Sequence, residues 1–164
     1  MIRIEQISTP TDFLAIKGLI HEFVAWVGTQ DPDAQSATTF KDLDAELEGL
    51  PGIFGPPTGS FLMATVNDQA VGCVAFRELD ADTVELKRMF VRPGQRGGGI
   101  GKKLVEELMI VARAQGRSRM VLRSYFTMTD AHKLYRTFGF QDIPAPDDLP
   151  EHYVGRIVFM QMDL

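Results

Sequence analysis

Basic residues are concentrated in one short stretch of the sequence that also holds a glycine-rich segment. Six basic side chains and no acidic one occur from position 87 to position 103, namely Lys87, Arg88, Arg92, Arg96, Lys102 and Lys103. Glycines at 94, 97, 98, 99 and 101 lie within the same stretch. Glycine lets the backbone approach a ligand closely, and the first turn of a helix presents unpaired N–H groups and the positive end of its dipole. These residue types therefore predict a site for a polyanionic group.

Two regular elements must hold this glycine-rich loop in place. Residues 83–91 (TVELKRMFV) predict a strand that ends just before Pro93. After the loop, apolar residues recur at helical spacing at positions 104, 108, 111 and 112, which predicts an amphipathic helix. The loop is thus expected to join the end of a strand to the N-terminus of a helix.

Two common phosphate-binding loops do not fit the sequence. A Walker-type P-loop aligned on Gly101 and Lys102 requires glycine at position 96 and a hydroxyl residue at 103, where the chain has Arg96 and Lys103. A dinucleotide loop that starts at Gly97 requires glycine at 102, where the chain has a lysine. The pattern that fits is R-x-x-G-x-G over residues 96–101, after a strand that ends in Val-x-Pro.

This pattern closely resembles the acyl-CoA pyrophosphate loop of the GNAT superfamily of N-acetyltransferases. The similarity covers nearly the whole chain, and ELEGLPGIFGPPTGSFLMA, ELKRMFVRP and AHKLYRTFGF resemble one bacterial branch of the superfamily. The resemblance implies an α/β fold, a GNAT-like three-layer sandwich. Its mixed, mostly antiparallel sheet has a central parallel, splayed strand pair and flanking helices. It also implies acetyl-CoA as co-substrate and direct attack of a free amine on the thioester.

The resemblance further implies which residues bind acetyl-CoA. Backbone groups of Met89, Phe90 and Val91 are expected to pair with the pantetheine arm in the gap between the splayed strands. Backbone N–H groups of the loop are expected to bind the pyrophosphate. The loop residues concerned are Arg96, Gly97, Gly98, Gly99, Ile100, Gly101 and Lys102.

Two residues are predicted to move protons during acetyl transfer. Tyr135 matches the family's usual tyrosine acid, which can protonate the departing thiolate; the alternative is that it only packs on the apolar side of its helix. Glu85 lies on the strand that leads to the thioester and is predicted to be the general base; the alternative is a solvated or salt-bridged carboxylate. Two positions depart from the family, because Arg123 stands where some members carry a base and Met128 where an asparagine often binds the CoA arm.

Local signals predict the remaining elements. A hydroxyl residue followed three positions later by an acid is typical of a helix start, and it occurs at Thr9–Asp12, Thr39–Asp42 and Thr127–Asp130. Gly28, Gly116 and Gly139 are expected to end helices. Two strand-like runs, 61–66 and 71–76, are expected to form a hairpin.

Length and composition limit the class of protein. The 164 residues predict a single domain over positions 1–164, and a net charge of -5 argues against general nucleic-acid binding. No stretch approaches the ~20 apolar residues of a membrane span, so a cytoplasmic protein without a membrane partner is expected. Cys73 is the only cysteine, which excludes an intramolecular disulfide. His21, His132 and His152 are scattered, and no metal site is predicted.

The acceptor is predicted to be the primary amine of a small molecule. A protein lysine or N-terminal amine is one alternative, and a catalytically silent acyl-CoA-binding module is another; a homodimer is left open. Acidic residues crowd two segments that should flank the acceptor's entrance, which favours a cationic acceptor unless these side chains are merely solvated. They are Asp31, Asp33, Asp42, Asp44, Glu46, Glu48, Asp147, Asp148 and Glu151.

Overall fold

The computed structural model describes residues 1–35 and 40–164, and over these residues the chain forms a seven-stranded sheet with helices on both faces. The strands are β1 (Ile2–Gln6), β2 (Ser60–Val66), β3 (Gln69–Glu78), β4 (Thr83–Val91), β5 (Arg119–Tyr125), β6 (Gln141–Ile143) and β7 (Ile157–Asp163). The α-helices are α1 (Pro10–Gln30), α2 (Pro32–Gln35), α3 (Leu43–Glu48), α4 (Ile100–Ala114) and α5 (Thr129–Thr137). Short 3₁₀ turns occur at Gly52–Phe54, Pro93–Gln95 and Glu151–Tyr153.

The sheet is mixed and mostly antiparallel. Its strand order is β1-β2-β3-β4-β5-β7-β6, and only β4 and β5 pair in parallel. Helix α4 connects these two strands, as expected for a parallel crossover. The predicted fold class, with a central parallel strand pair between antiparallel neighbours, is confirmed.

Each face of the sheet has its own apolar core. On one face the stripe of α4 buries Leu104 and Leu108 against sheet residues such as Phe76. On the other face α1 buries Ile16 and Ile20 against the opposite sides of β2 and β3. Fully burying one such side chain contributes about 1.5–3 kcal/mol. Burial on both faces makes the sheet the rigid middle layer of a three-layer sandwich.

The capping signals succeed at one helix and fail at another. At α1 the Asp12 N–H donates to Thr9 Oγ1 at 3.2 Å, and the Thr9 N–H donates to the Asp12 carboxylate at 2.9 Å, so this capping box is confirmed. The box predicted at Thr127 is wrong, because α5 starts at Thr129 after an N-cap residue, Met128, that makes no side-chain cap. Thr39 lies outside the described residues.

Helix α1 continues past its predicted end at Gly28. The helix runs to Gln30, and the next residue, Asp31, is extended with φ -157° and ψ 111°. A residue before proline is pushed out of the helical region, and Pro32 follows Asp31. The helix therefore ends because Pro32 follows Asp31. Gly28 allows a helix to end but does not force it to. Gly116 and Gly139 follow α4 and α5 at positive φ, as predicted.

The pair of strands at the centre of the sheet separates along its length. β4 and β5 are paired at only three positions, the last of which joins Glu85 to Val121. Beyond it, β4 has a bulge at Arg88, which has φ 61°, and its register to β3 shifts between Cys73 and Ala75. A bulge bends a strand and increases its twist. The later half of β4 therefore turns away from β5, and a gap opens between them.

No helix in the described part of the chain is both long enough and apolar enough to cross a membrane. The cytoplasmic location, the single domain over residues 1–164 and the open question of a homodimer stay at the level of sequence prediction.

Candidate active site

The gap between β4 and β5 is a cavity of about 830 Å³. Residues 85–91 of β4 form one wall, and residues 122–125 of β5 form the other. Phe23 and Trp26 of α1 cover it from one face of the sheet, and Tyr135 of α5 reaches it from the other. All three layers of the fold thus contribute to the cavity.

The glycine-rich loop presents unpaired N–H groups at one end of this cavity. Among the residues that the structure describes, no backbone carbonyl accepts a hydrogen bond from the N–H groups of residues 97–102; the first bond of α4 runs from the Lys103 N–H to the Gly99 carbonyl at 3.0 Å. Gly97 and Gly99 have φ of 86° and 81°, a conformation that favours glycine. The loop and the start of α4 therefore form a concave cluster of donors suited to a phosphate group.

The Arg96 side chain links the loop to the end of β4 and to α1. Its Nε donates to the Val91 carbonyl at 2.9 Å, and its guanidinium lies over the Trp26 ring, 4.2 Å from the centroid. The loop also packs closely on its neighbours, because a Cβ at Gly101 would lie 3.1 Å from Met89 Cε. Both contacts fix where the N–H groups point.

Other basic residues of the stretch have partners away from the loop. Arg92 forms an exposed ion pair with Glu22 at 2.7 Å, and Lys102 lies 3.8 Å from Glu106 one turn along α4. The loop's anion-binding capacity therefore comes chiefly from its backbone.

The last residues of β4 are open on the side that faces β5. Val91 and Phe90 pair with Gly72 and Cys73 of β3, at a close approach where a Cβ on Gly72 would lie 2.9 Å from the Phe90 carbonyl. Over the described ranges, no residue of β4 after Glu85 pairs with β5. The edge of β4 around Met89, Phe90 and Val91 is thus not covered by β5, although the Val91 carbonyl already accepts a hydrogen bond from Arg96 Nε.

Tyr135 lies in the cavity wall and is buried. It packs in the core on the α5 face, with its ring 5.7 Å from that of Phe140. Burial raises the pKa of Tyr135 well above its ordinary value. The hydroxyl is therefore protonated at neutral pH, which is the state required of a proton donor.

Glu85 also lines the cavity, and three basic side chains surround its carboxylate. Arg77 Nε lies 2.9 Å from Oε1, Arg123 Nε lies 3.1 Å from Oε2, and Lys87 Nζ lies 4.0 Å from Oε1. Burial is the largest single influence and raises the pKa of Glu85. The hydrogen bond from Arg77 and the charges of Lys87, Arg123 and Arg77 together outweigh burial, so the pKa lies below its usual value. Glu85 is thus ionised and salt-bridged at neutral pH; its role as a base stays a prediction.

A second ion pair in this region was not predicted from the sequence. Arg88, at the bulge, donates through Nε and Nη2 to both oxygens of Glu46, each at 2.8 Å. The Arg88 side chain is 2% exposed, and its guanidinium lies 5.6 Å from the centre of the Phe40 ring. The pair attaches α3 to the β4 bulge. It joins residues 42 positions apart, and no local pattern announces such a contact.

The acidic residues predicted to surround the acceptor's entrance do not line the cavity. Glu46 is held by Arg88, Glu48 lies 3.2 Å from Lys17, and Asp33 lies 3.0 Å from Arg156. Within the described ranges, the acidic residues in the cavity wall are Glu85 and Asp130. The acidic entrance therefore has no support in the geometry, because these side chains are turned to partners or to solvent.

Cys73 and His132 both contact neighbouring groups of the fold. The buried Cys73 thiol lies 3.3 Å from the Arg88 carbonyl at the bulge. His132 Nε2 lies 2.8 Å from Ser124 Oγ, and burial, with the Arg136 charge, lowers the pKa of His132. Among the described residues, no three potential metal ligands come together.

The splayed pair of β4 and β5, with a loop rich in free N–H groups at its end, is the arrangement expected of an acyl-CoA-binding transferase. A sequence model of the acetyltransferase (GNAT) family matches residues 20–140, and the chain belongs to this family. It is an acetyl-CoA-dependent N-acetyltransferase.

Individual proteins agree with this placement. The chain is 30% identical over 165 residues to an uncharacterized N-acetyltransferase of Schizosaccharomyces pombe. The matched residues cover 99% of this chain and 95% of that protein. It is 34% identical over 129 residues to an IAA acetyltransferase of Azospirillum brasilense, with 78% of each chain covered. Its fold matches that of PaiA N-acetyltransferase from Thermoplasma acidophilum, solved with coenzyme A. That comparison gives a TM-score of 0.81 at 17% identity and covers 100% of this chain and 99% of that one.

Proposed function

We propose that the protein transfers the acetyl group of acetyl-CoA to the primary amine of a small molecule by direct attack. The observation that carries the proposal is the cavity, which extends from the unpaired N–H groups of the loop to Tyr135 and Glu85 in the opened strand pair. The acyl-CoA pyrophosphate would bind the N–H groups of residues 97–102, whereas the N–H of Arg96, also expected to bind it, donates to the Pro93 carbonyl at 3.3 Å. The pantetheine arm would then lie along Met89, Phe90 and Val91, which directs the thioester toward the middle of the cavity.

A small acceptor is favoured because the site is a cavity and not a flat surface. Phe23, Trp26 and Phe40 line it on the α1 side, and Leu149 and Tyr153 line it near the late loop. A lysine on a protein surface requires a shallow, open groove. A cavity of about 830 Å³ has the size of a small-molecule site.

In the proposed reaction the amine nitrogen attacks the thioester carbonyl carbon, and the C–S bond then breaks. The acetyl group leaves on the nitrogen as an amide, and the sulfur leaves as the thiolate of CoA. Tyr135, protonated at neutral pH, would donate its hydroxyl proton to this sulfur and regain one from solvent. The attacking nitrogen would release its second proton to solvent as the amide forms. Positioning of the two reactants in one cavity supplies much of the rate enhancement.

Glu85 is proposed to accept the proton that the attacking ammonium must lose. It lies in the cavity wall and is ionised at neutral pH, so it can accept a proton directly or through water. Its lowered pKa makes it a weak base, because catalysis by a base is most efficient when its pKa lies near the working pH. The share of Glu85 in catalysis is therefore expected to be modest.

The test is a screen for release of free CoA thiol from acetyl-CoA in the presence of different amines. The panel contains amino acids, polyamines, aminoglycosides and a lysine-containing peptide, and products are checked for an N-acetyl group by mass spectrometry. We expect turnover with at least one small amine and none with the peptide. Binding of acetyl-CoA without turnover of any amine would identify a silent binding module, and peptide acetylation alone would identify a protein acetyltransferase.

A further inference from the structure

One side of the cavity holds more positive than negative charge. Arg77, Lys87 and Arg123 surround the single carboxylate of Glu85, within 2.9, 4.0 and 3.1 Å respectively. Three positive charges against one negative charge leave a surplus of two, counted over residues that the structure describes. The adjacent pair of Arg88 with Glu46 is neutral and does not reduce this surplus.

The cluster includes one cation that water reaches poorly. The side chains of Glu85 and Lys87 are 5% and 20% exposed, whereas those of Arg77 and Arg123 are 32% and 51% exposed. The pKa of Lys87 is lowered to about 8, first by burial and then by the charges of Arg88 and Arg77, against the opposing effect of Glu85 and Glu46. A poorly hydrated charge among like charges is costly unless a counter-charge joins it. An anion beside Lys87 would therefore reduce the cost of its charge.

The surplus charge faces the cavity at the end away from the loop. Lys87 and Arg123 both line the cavity, whereas Arg77 lies behind Glu85 on β3 and is not in the wall. The Arg123 side chain is 51% exposed, so its guanidinium can receive a second partner besides Glu85. Lys87 and Arg123 lie 4.0 and 3.1 Å from different oxygens of the Glu85 carboxylate, so the two cations flank the same part of the cavity wall.

Acetyl-CoA does not supply this anion. Its phosphates belong at the N–H groups of residues 97–102, which lie beyond Val91 at the opposite end of the β4 wall. Lys87 and Arg123 instead precede the bulge, on the part of the strand pair where the two strands have just separated. That is the part of the cavity left for the acceptor.

We propose that the acceptor carries a carboxylate in addition to its amine, as in an amino acid, and that Lys87 and Arg123 bind this carboxylate. The inference rests on the proposed function and specifies the acceptor's class. Arg123 offers a planar fork of donors that suits a carboxylate, and Lys87 adds a point charge. Binding the carboxylate there would hold the neighbouring amine near the thioester. A cationic acceptor would instead meet the surplus positive charge.

The experiment compares amino acids with their own amides, which keep the amine and lack the negative charge. Glycine, β-alanine and phenylalanine are each assayed against the corresponding amide with acetyl-CoA. We expect at least one amino acid to exceed its amide in kcat/KM by about tenfold or more, since charge-assisted hydrogen bonds are the strong ones. Arg123→Gln and Lys87→Met should each reduce that preference severalfold, mainly through KM.

Two variants make the comparison specific. Arg119→Gln alters an exposed arginine of the same strand that is outside the cavity wall, and it should keep the preference. Arg123→Lys keeps the charge and should retain part of the preference. The dissociation constant of acetyl-CoA for each variant reports whether the enzyme is intact.

Faster turnover of amides, or of polyamines, than of every amino acid would overturn this inference while leaving the proposed function standing. An unchanged preference in both Arg123→Gln and Lys87→Met would also overturn it. If acetyl-CoA binds but no amine of either kind is acetylated, both the proposed function and this inference fall.

Discussion

Tyr135 supplies the hydroxyl that the proposed reaction uses, and burial raises its pKa further above neutral pH. Tyr135→Phe keeps the ring and its contact with Phe140 and removes only the hydroxyl. Turnover should fall by roughly 100-fold, as is typical when an acid–base group is lost. The dissociation constant of acetyl-CoA, measured by calorimetry, should be unchanged.

Tyr125→Phe is a matched control for this change. Its hydroxyl lies 3.5 Å from Arg156 Nη1, at the α2 side of β5, and it has no part in the proposed reaction. Most turnover should remain in this variant. Equal turnover of Tyr135→Phe and the parent enzyme would leave Tyr135 with a packing role only.

Glu85→Gln tests the base. Because three cations lower the pKa of Glu85, we expect kcat to fall by only about tenfold, less than for a base whose pKa matches the working pH. The fall should be similar for an amino acid and for its amide. A loss confined to the amino acid would show that Glu85 holds Arg123 in place and takes no proton.

Lys87 is expected to make the free energy of unfolding depend on pH, and a single substitution should remove this dependence. Its pKa is about 8 in the folded protein and 10.5 as the ordinary value. Below pH 8 Lys87 is charged in the folded protein, which lowers the free energy of unfolding. Between pH 8 and 10.5 the folded state loses the proton while the unfolded chain keeps it, so stability rises with pH. Lys87→Met should therefore be more stable than the parent at pH 7, by on the order of 2 kcal/mol.

Denaturant unfolding at pH 7, 9 and 10.5 measures this effect. The stability difference between Lys87→Met and the parent should shrink as the pH rises. Lys103→Met, at an exposed site on α4, should show no such trend. A stability difference that stays constant with pH would mean that the surroundings of Lys87 do not lower its pKa.

At the scale of an element, the loop before α4 can be tested at a glycine that needs no special backbone angle. A Cβ on Gly98 meets nothing within 4 Å, and its φ is not in the left-handed region, unlike that of Gly97 or Gly99. Gly98→Asp places a negative charge among the N–H groups and should weaken acetyl-CoA binding at least tenfold, because it repels the pyrophosphate.

Gly94→Asp is the control for this loop. It makes the same change in the preceding 3₁₀ turn, where a Cβ also meets nothing within 4 Å. Its dissociation constant for acetyl-CoA, measured by calorimetry, should stay within about threefold of the parent value. Equal weakening by both variants would point to a general charge effect and away from the loop assignment.

The elements that sequence predicts well are those specified by neighbouring residues. The strand–loop–helix around 83–115 and the capping box at Thr9 depend on groups only a few positions apart, and both were predictable. The start of α5 was not, because a turn after β5 shifts it to Thr129. A hydroxyl at the right spacing is insufficient when the preceding strand sets the path of the chain.

The charged part of the site was beyond sequence reasoning because its members come from different elements. Arg77, Glu85 and Arg123 lie on three neighbouring strands, and their approach depends on the register of the sheet. Glu46 and Arg88 meet where α3 packs on the bulge of β4, and they are 42 positions apart in the sequence. A count of acids along the chain therefore could not reveal that Lys87 and Arg123 line the cavity.

At the scale of the whole molecule, acetyl-CoA should stabilise the fold, because it contacts the loop, β4 and β5 only when they are assembled. A ligand at 100 times its dissociation constant adds about 2.7 kcal/mol to the free energy of unfolding. For a chain of this size the unfolding midpoint should rise by roughly 5–10 °C. Differential scanning calorimetry measures the shift, which should be much smaller in Gly98→Asp. No shift in the parent at saturating ligand would contradict binding at the assembled site.

The separation of β4 from β5 has a further consequence for self-association. Unpaired strand edges normally recruit strands from other chains, and proteins must protect them. Here the open side of β4 faces inward, between β5 and the covering side chains of α1 such as Phe23 and Trp26. A strand from another molecule would have to displace these side chains to pair with that edge. The edge along which we propose that the pantetheine arm lies is thereby protected from aggregation.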